Sequence, residues 1–104
     1  MVLDWTTAAV GFSGLGAEPR LRMLRVLVRA GPDGLSVGQL KASVDMPAST
    51  MSHHLKAMAD AGLITQLRRG RTIINIAHFE QLEKLAKFIL LECCNDVEAR
   101  RKES

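Results

Sequence analysis

Hydrophobic and polar positions recur at helical spacing along most of this chain and change to strand-like runs once, near residue 63. Trp5, Ala8, Ala9 and Phe12 predict a first helix over about residues 4–15, of modest quality and broken by Gly11, Gly14 and Gly16. A second helix begins at Glu18-Pro19, because the fixed φ of proline suits a first turn. Leu21, Leu24 and Val28 form its expected apolar face, and Arg20, Arg22, Arg25 and Arg29 occupy the remainder. The turn residues Gly31-Pro32-Asp33-Gly34 end it. Ser36 and Gln39 then have the spacing of a capping box, with Val37, Leu40 and Val44 behind them as the apolar face of a third helix. After the turn Asp45-Met46-Pro47, a fourth helix spans about Pro47 to Ala61. Met51, Leu55 and Met58 must face its core side, which sends Ser49, His53, Lys56 and Asp60 outward. Gly62 is a natural stop.

Two short runs rich in strand formers follow, Leu63 to Arg68 and Thr72 to Ala77, joined by Arg69-Gly70-Arg71. Strand formers on both sides of a tight glycine turn predict a β-hairpin. The last helix is expected from about His78 to Asp96, with Phe79, Leu82, Ala86, Ile89, Leu90 and Cys93 as its stripe. Leu85, Phe88 and Leu91 spread apolar surface around much of the rest. A helix this apolar needs more cover than one small core supplies. The tail from Glu98 to Ser104 is charged.

Composition narrows the field. With 104 residues the chain is one expected domain, 1–104, too small to be strongly stable alone. Hydrophobic residues make up 47% and charged ones 24%, and the net charge of +3 suits a phosphate backbone without demanding one. Aromatic residues are 4% with no Tyr, which argues against an aromatic-lined pocket. No stretch approaches the roughly 18 apolar residues of a membrane span, and no secretory signal is evident, so the expected location is cytoplasmic without membrane contact. The two cysteines, Cys93 and Cys94, are adjacent and poorly placed to bridge each other. There is no nucleophile–base–orienter set, no glycine-rich phosphate loop after a strand and no closed metal cluster, so an enzyme is not expected.

The order of elements carries the functional signal. Two helices joined by a short turn, the second with a small polar outer face, describe helix-turn-helix DNA binding. That second helix must enter a major groove about 12 Å wide. Ser49, Ser52, His53 and Lys56 leave it free to enter and can bond to phosphates or base edges. The hairpin tip adds Arg68, Arg69 and Arg71, suited to phosphates or a minor groove. The expected fold is therefore α+β, mainly α: a winged helix-turn-helix of about five helices and a two-stranded wing. The helix-turn-helix covers about residues 36–61 and the wing about 63–77.

Four stretches resemble the ArsR/SmtB repressors. Residues 17–24, AEPRLRML, resemble the "DPTRLRIL" opening of that family, and residues 35–40, LSVGQL, its "SVGEL" helix. Residues 49–56, STMSHHLK, are very close to its "STVSHHLKVL" recognition helix, and Ala61-Gly62-Leu63-Ile64 with Arg69-Gly70-Arg71 looks like its "AGLV…REGR" approach to the wing. The resemblance covers about residues 15–78. It implies a homodimer joined through the first and last helices, about 4–15 and 78–96, that represses from an inverted-repeat operator on double-stranded DNA and needs no cofactor to bind it. Carried over by position, the DNA contacts are Gln39, Ser49, Thr50, Ser52, His53, His54 and Lys56, with Arg69 and Arg71 from the wing. His54 lies nearer the core side of the helix and is equally readable as a packing or phosphate-bonding histidine.

The family's inducers are diverse. A zinc site on the last helix needs Asp and His at ligand spacing, and this chain offers His78 with Glu80, Glu83, Glu92 and Asp96, a poor set. The family's "CVC"-like pair has no counterpart between Leu40 and Asp45. Cys93 and Cys94 remain. Thiolates bind soft, thiophilic centres, and some arsenic-responsive members carry such a pair plus a third, later cysteine. Here the third sulfur is missing and would come from a small thiol or the other subunit, or be replaced by the carbon of a methylarsenical. The expected inducer is thus trivalent arsenic or antimony, or a methylarsenical. Redox sensing by the thiols, or two cysteines that only pack, stand beside it.

Overall fold

The computed structural model describes residues 3–93. Its elements are α1 (Trp5–Gly14), α2 (Glu18–Ala30), a 3-10 turn (Gly31–Asp33), α3 (Val37–Lys41), α4 (Ala48–Asp60), the antiparallel pair β1 (Ile64–Arg69) and β2 (Thr72–Ala77), and α5 (Phe79–Lys87). The chain then continues in π-helical turns over Phe88–Cys93. This is the winged helix-turn-helix architecture. Among the described residues no helix is long and apolar enough to cross a membrane.

Local chemistry sets the ends of the elements. The Asp4 carboxylate accepts from the Thr7 N–H at 2.6 Å and caps α1. The capping box of α3 is formed on both sides: Ser36 Oγ accepts from the Gln39 N–H at 3.2 Å, and Gln39 Oε1 accepts from the Ser36 N–H at 2.9 Å. The core joins all the helices to the base of the hairpin. Met23, Leu27, Leu40, Met51, Leu55, Met58 and Leu63 are completely buried, with Ala8, Ile64, Ala77, Leu85 and Phe88 close behind.

The wing is anchored by a third segment. Leu35 pairs with Asn75 in β2, exchanging N–H···O bonds of 2.9 and 2.8 Å. The Asn75 side chain is fully buried, and both its ends are bonded: Nδ2 donates to the Leu35 carbonyl at 3.1 Å and Oδ1 accepts from Gln66 Nε2 at 2.9 Å. A buried amide is tolerable only when satisfied in this way. Beyond Ile64, both faces of β1 are exposed, so the tip projects from the body.

Five details differ from the sequence-based expectation. In α1 the glycines do not break the helix. They let it approach its neighbours: a Cβ on Gly14 would lie 2.6 Å from the Ala61 Cβ, and one on Gly11 would lie 2.9 Å from the Leu85 methyls. Of the stripe expected on α1, only Ala8 is buried, and Trp5 is 71% exposed. In α2 the buried line is Met23 and Leu27, because apolar residues run nearly around this helix and its packing in the shared core selects one line of them; Leu21 and Val28 are left exposed. In the last helix Leu85 and Phe88 turn inward, the latter edge-on to Trp5 with centroids 5.0 Å apart, while Phe79, Ile89, Leu90 and Leu91 stay exposed. β1 begins at Ile64 and runs through Arg69, which shortens the connection to the two residues Gly70 and Arg71.

Gly34 and Gly70 separate two costs of adding a Cβ. Both have positive φ, 66° and 64°, but nothing lies within 4 Å of a Cβ on Gly70, whereas one on Gly34 would sit 2.5 Å from the Asn75 carbonyl oxygen. Gly70→Ala should therefore lose only the left-handed strain, about 1–2 kcal/mol. Gly34→Ala should lose clearly more by urea denaturation, since its backbone (φ 66°, ψ −170°) lies in a region essentially restricted to glycine and the Leu35–Asn75 pairing must also shift. Equal losses would mean that the junction does not hold the wing.

Candidate nucleic-acid interface

The candidate interface is built on α4. Met51, Leu55 and Met58 are wholly buried, and that fixes the rotation of the helix about its axis. Ser49, Ser52, His53 and Lys56 consequently form one outward face, and all four are exposed, as is Thr50 at its edge. Lys56 also faces Asp60, with 3.7 Å between charged atoms, an exposed pair of little energetic weight. Pro47 precedes the helix and offers no side-chain cap, and the first turn carries no acidic residue. Its leading N–H groups are thus available to water or an anion, and the positive end of the helix dipole favours the latter.

Gln39 is exposed in the first turn of α3. Its side-chain oxygen is already used by the capping box, which leaves only the amide N–H₂ to reach outward. Arg68, Arg69 and Arg71 are exposed on the protruding hairpin, and Arg69 lies opposite Thr72 at its end. The hairpin starts one turn after α4: the Leu63 N–H donates to the Met58 carbonyl at 2.9 Å, and the His78 N–H donates to the Leu63 carbonyl at 2.9 Å.

His54 stands apart. It is half-buried, and its Nδ1 accepts a hydrogen bond of 3.1 Å from Arg20 Nε. Burial, then the charge of Arg20, then that of His53 hold its pKa below the usual imidazole value. His53 and His54 have ring centroids 6.0 Å apart and do not converge on a shared ligand. Sequence reasoning missed two residues: Asn75, which anchors the wing, and Arg20, which holds His54. A single amide inside the isoleucine-rich run Ile73-Ile74-Asn75-Ile76 was the available signal for the first.

Cys94 and the side chain of Cys93 lie outside the described residues. Among the described residues, no three His, Cys, Asp or Glu side chains converge to hold a metal ion.

The geometry is that of a DNA-binding module, and the comparisons agree. Residues 15–66, half of the chain, match the family model described as a helix-turn-helix domain, and the chain belongs to that family. An ArsR-like transcriptional regulator from Rhodococcus sp. RHA1 is similar in structure, with a TM-score of 0.75 at 26% identity over 95% of this chain and 89% of that one. Reduced HlyU from Vibrio cholerae N16961 has a TM-score of 0.64 at 25% identity over 85% of this chain and 90% of that one. The homodimeric winged helix-turn-helix DNA-binding domain of Mb0332 from Mycobacterium bovis shares the fold, with a TM-score of 0.67 at 23% identity over 88% of this chain and 80% of that one. No curated protein matches the chain. The chain is a transcriptional regulator of this winged-helix type, not an enzyme.

The lowered pKa of His54 links stability to pH. The folded ring binds protons less readily than an unfolded histidine near 6.5, so its contribution is present above that value and lost as pH falls through the lowered folded value. The melting temperature should fall on acidification from about pH 7.5 to about pH 5, and His54→Gln should flatten part of that fall. An identical slope in the variant would show that the pKa of His54 is not lowered in the folded protein.

Proposed function

We propose that the chain is a homodimeric transcriptional repressor in which two copies of α4 enter successive major grooves of an inverted-repeat operator. Ser49, Thr50, Ser52 and His53 read or position the groove, with Lys56 and Gln39 at its margins and His54 alongside. Arg69 and Arg71 place the wing on flanking phosphates or the minor groove. One observation carries this reading: every large apolar residue of α4 is buried, and the opposite face holds serines, His53 and Lys56, with the acidic Asp60 only at its far end. The single domain, 1–104, then works as one unit.

Dimerisation is supported by two facts. The Mb0332 domain is homodimeric, and here α1 and the terminal helix expose Trp5, Val10, Ile89, Leu90 and Leu91. Covering such a patch is the usual reason for it to exist on a small domain. The inducer is assigned to Cys93 and Cys94 on thiol chemistry: trivalent arsenic or antimony, or a methylarsenical that supplies its own carbon. A second reading, oxidation of the same thiols, is favoured by the likeness to HlyU, whose structure is described as the reduced form.

Binding to the protein's own promoter fragment tests the first claim. Arg69→Ala with Arg71→Ala should weaken binding and reduce the log–log salt slope by about one to two, at roughly 0.9 for each phosphate no longer neutralised. An unchanged slope would remove the wing from the interface.

The second claim is tested by Cys93→Ser with Cys94→Ser. The double variant should keep operator affinity and no longer release DNA with arsenite, methylarsenite or peroxide. Release of wild type by peroxide alone would select the redox reading, and release of the variant by any of the three would place the sensor elsewhere.

A further inference from the structure

Arg20 joins three elements. Its Nε donates to His54 Nδ1 on α4 at 3.1 Å, and its Nη1 donates to the Gly14 carbonyl at the end of α1 at 3.3 Å. A guanidinium is always charged and can only donate. Nδ1 of His54 must therefore be the acceptor, and the single proton of the neutral ring sits on Nε2. Nε2 has no bonding partner within the described residues, and none of their buried side-chain nitrogens or oxygens lacks one. Nε2 is thus open to solvent.

We propose that Arg20 is a positioning residue for DNA recognition: it fixes His54 as the Nε2–H tautomer, so that the ring presents one oriented N–H donor to an acceptor on the duplex. The inference rests on the DNA-binding reading above and adds to it a residue outside the helix-turn-helix. A free imidazole offers either nitrogen as donor and the other as acceptor, and can accommodate opposite partners. With Nδ1 held by Arg20, only an acceptor fits at Nε2: a phosphate oxygen, a purine N7 or the guanine O6. The fork of Arg20 also ties the ring to the end of α1, so that its orientation does not depend on the rotamer of His54 alone.

Proton uptake undoes the arrangement, because it places an N–H on Nδ1 against the Nε–H of Arg20. The groups bearing on the ring are Arg20 from α2 and His53 from its own helix. Asp60 lines the same groove as Arg20 and is paired with Lys56, and α1 brings Ala9, Val10, Ser13 and Gly14, none of them titratable. Among the described residues no carboxylate bears on the ring to favour its charged form, and its lowered pKa is consistent with a neutral ring at physiological pH.

Long-range ¹H–¹⁵N spectra of the full chain, free of DNA, test the first half. The expected pattern for His54 is a bare Nδ1 and a protonated Nε2, with a mixture of tautomers in Arg20→Met. Affinity for a duplex of the protein's own promoter tests the second. Arg20→Met should weaken binding about tenfold, against less than about twofold for Arg25→Met, an exposed arginine of the same helix whose loss reports charge alone. His54→Gln keeps an N–H donor without a tautomer choice, and in that background Arg20→Met should have little effect. The inference is overturned if wild-type His54 carries its proton on Nδ1 or as a mixture, if both arginine variants weaken binding equally, or if Arg20→Met acts undiminished on His54→Gln. A wild-type chain that shows the expected tautomer yet ignores its promoter defeats the DNA-binding reading and the role of Arg20 with it. Binding with the wrong tautomer defeats only the latter.

Discussion

Met51, Leu55 and Met58 give up all their surface to the interior, and the character of the molecule follows from that constraint. A helix is rigid about its own axis, so burying three residues on one side dictates which residues stand on the other. The short serines and the basic Lys56 are outward because the methionines and the leucine are inward. At roughly 1.5–3 kcal/mol for each buried side chain, rotating α4 to show a different face would cost much of the stability expected of a domain this size. The outward polar face of α4 is thus imposed by the core rather than arranged separately from it.

The same logic explains how a basic hairpin can protrude. Two antiparallel strands alone are marginal in water. Here the base of the hairpin borrows stability from Leu35, which acts as a short third strand, and from Asn75, whose side-chain amide bonds to Leu35 at one end and Gln66 at the other. Ile64 and Ala77 close the base against the core. With the base fixed, the tip can carry three arginines and no packing of its own. Leu35 also directly precedes the cap of α3, so the wing and the helix-turn-helix share one anchor.

Much of this is legible in the residues, and the misses share a cause. The elements from α2 to β2 can be placed because each is bounded by strong local chemistry: Pro19, the Ser36–Gln39 box, Gly62 and Gly70. Periodicity identifies the buried face of α4 because polar residues cover its other side. It fails on α1, α2 and the last helix, where apolar residues occupy more than one face and only tertiary contacts decide which turns inward. Met23 and Leu27, not Leu21 and Val28, face the core of α2 for that reason. Helix propensity makes the glycines of α1 look like weaknesses, while their role is close approach, a property of neighbours distant in sequence. The polar face of α4 is visible residue by residue, but the Arg20–His54 contact spans 34 positions and no local pattern encodes it.

Those long-range contacts share α1. Its Gly11 lies against Leu85 and its Trp5 against Phe88, so it is fitted to the terminal helix. Its Gly14 lies against Ala61 at the end of α4, and the Gly14 carbonyl holds Arg20, which holds His54. A helix that is closely packed at both ends cannot move against one neighbour without disturbing the other, since interiors are dense and little compressible. The exposed apolar surface of α1 and the terminal helix and the polar surface of α4 are therefore linked through about ten residues of one helix rather than through the whole domain. Contact alone transmits nothing: a ligand at the terminal helix alters α4 only by binding two arrangements of these contacts with unequal affinity. What the packing supplies is a short connection between them, brought close by the two glycines that let α1 approach Leu85 and Ala61.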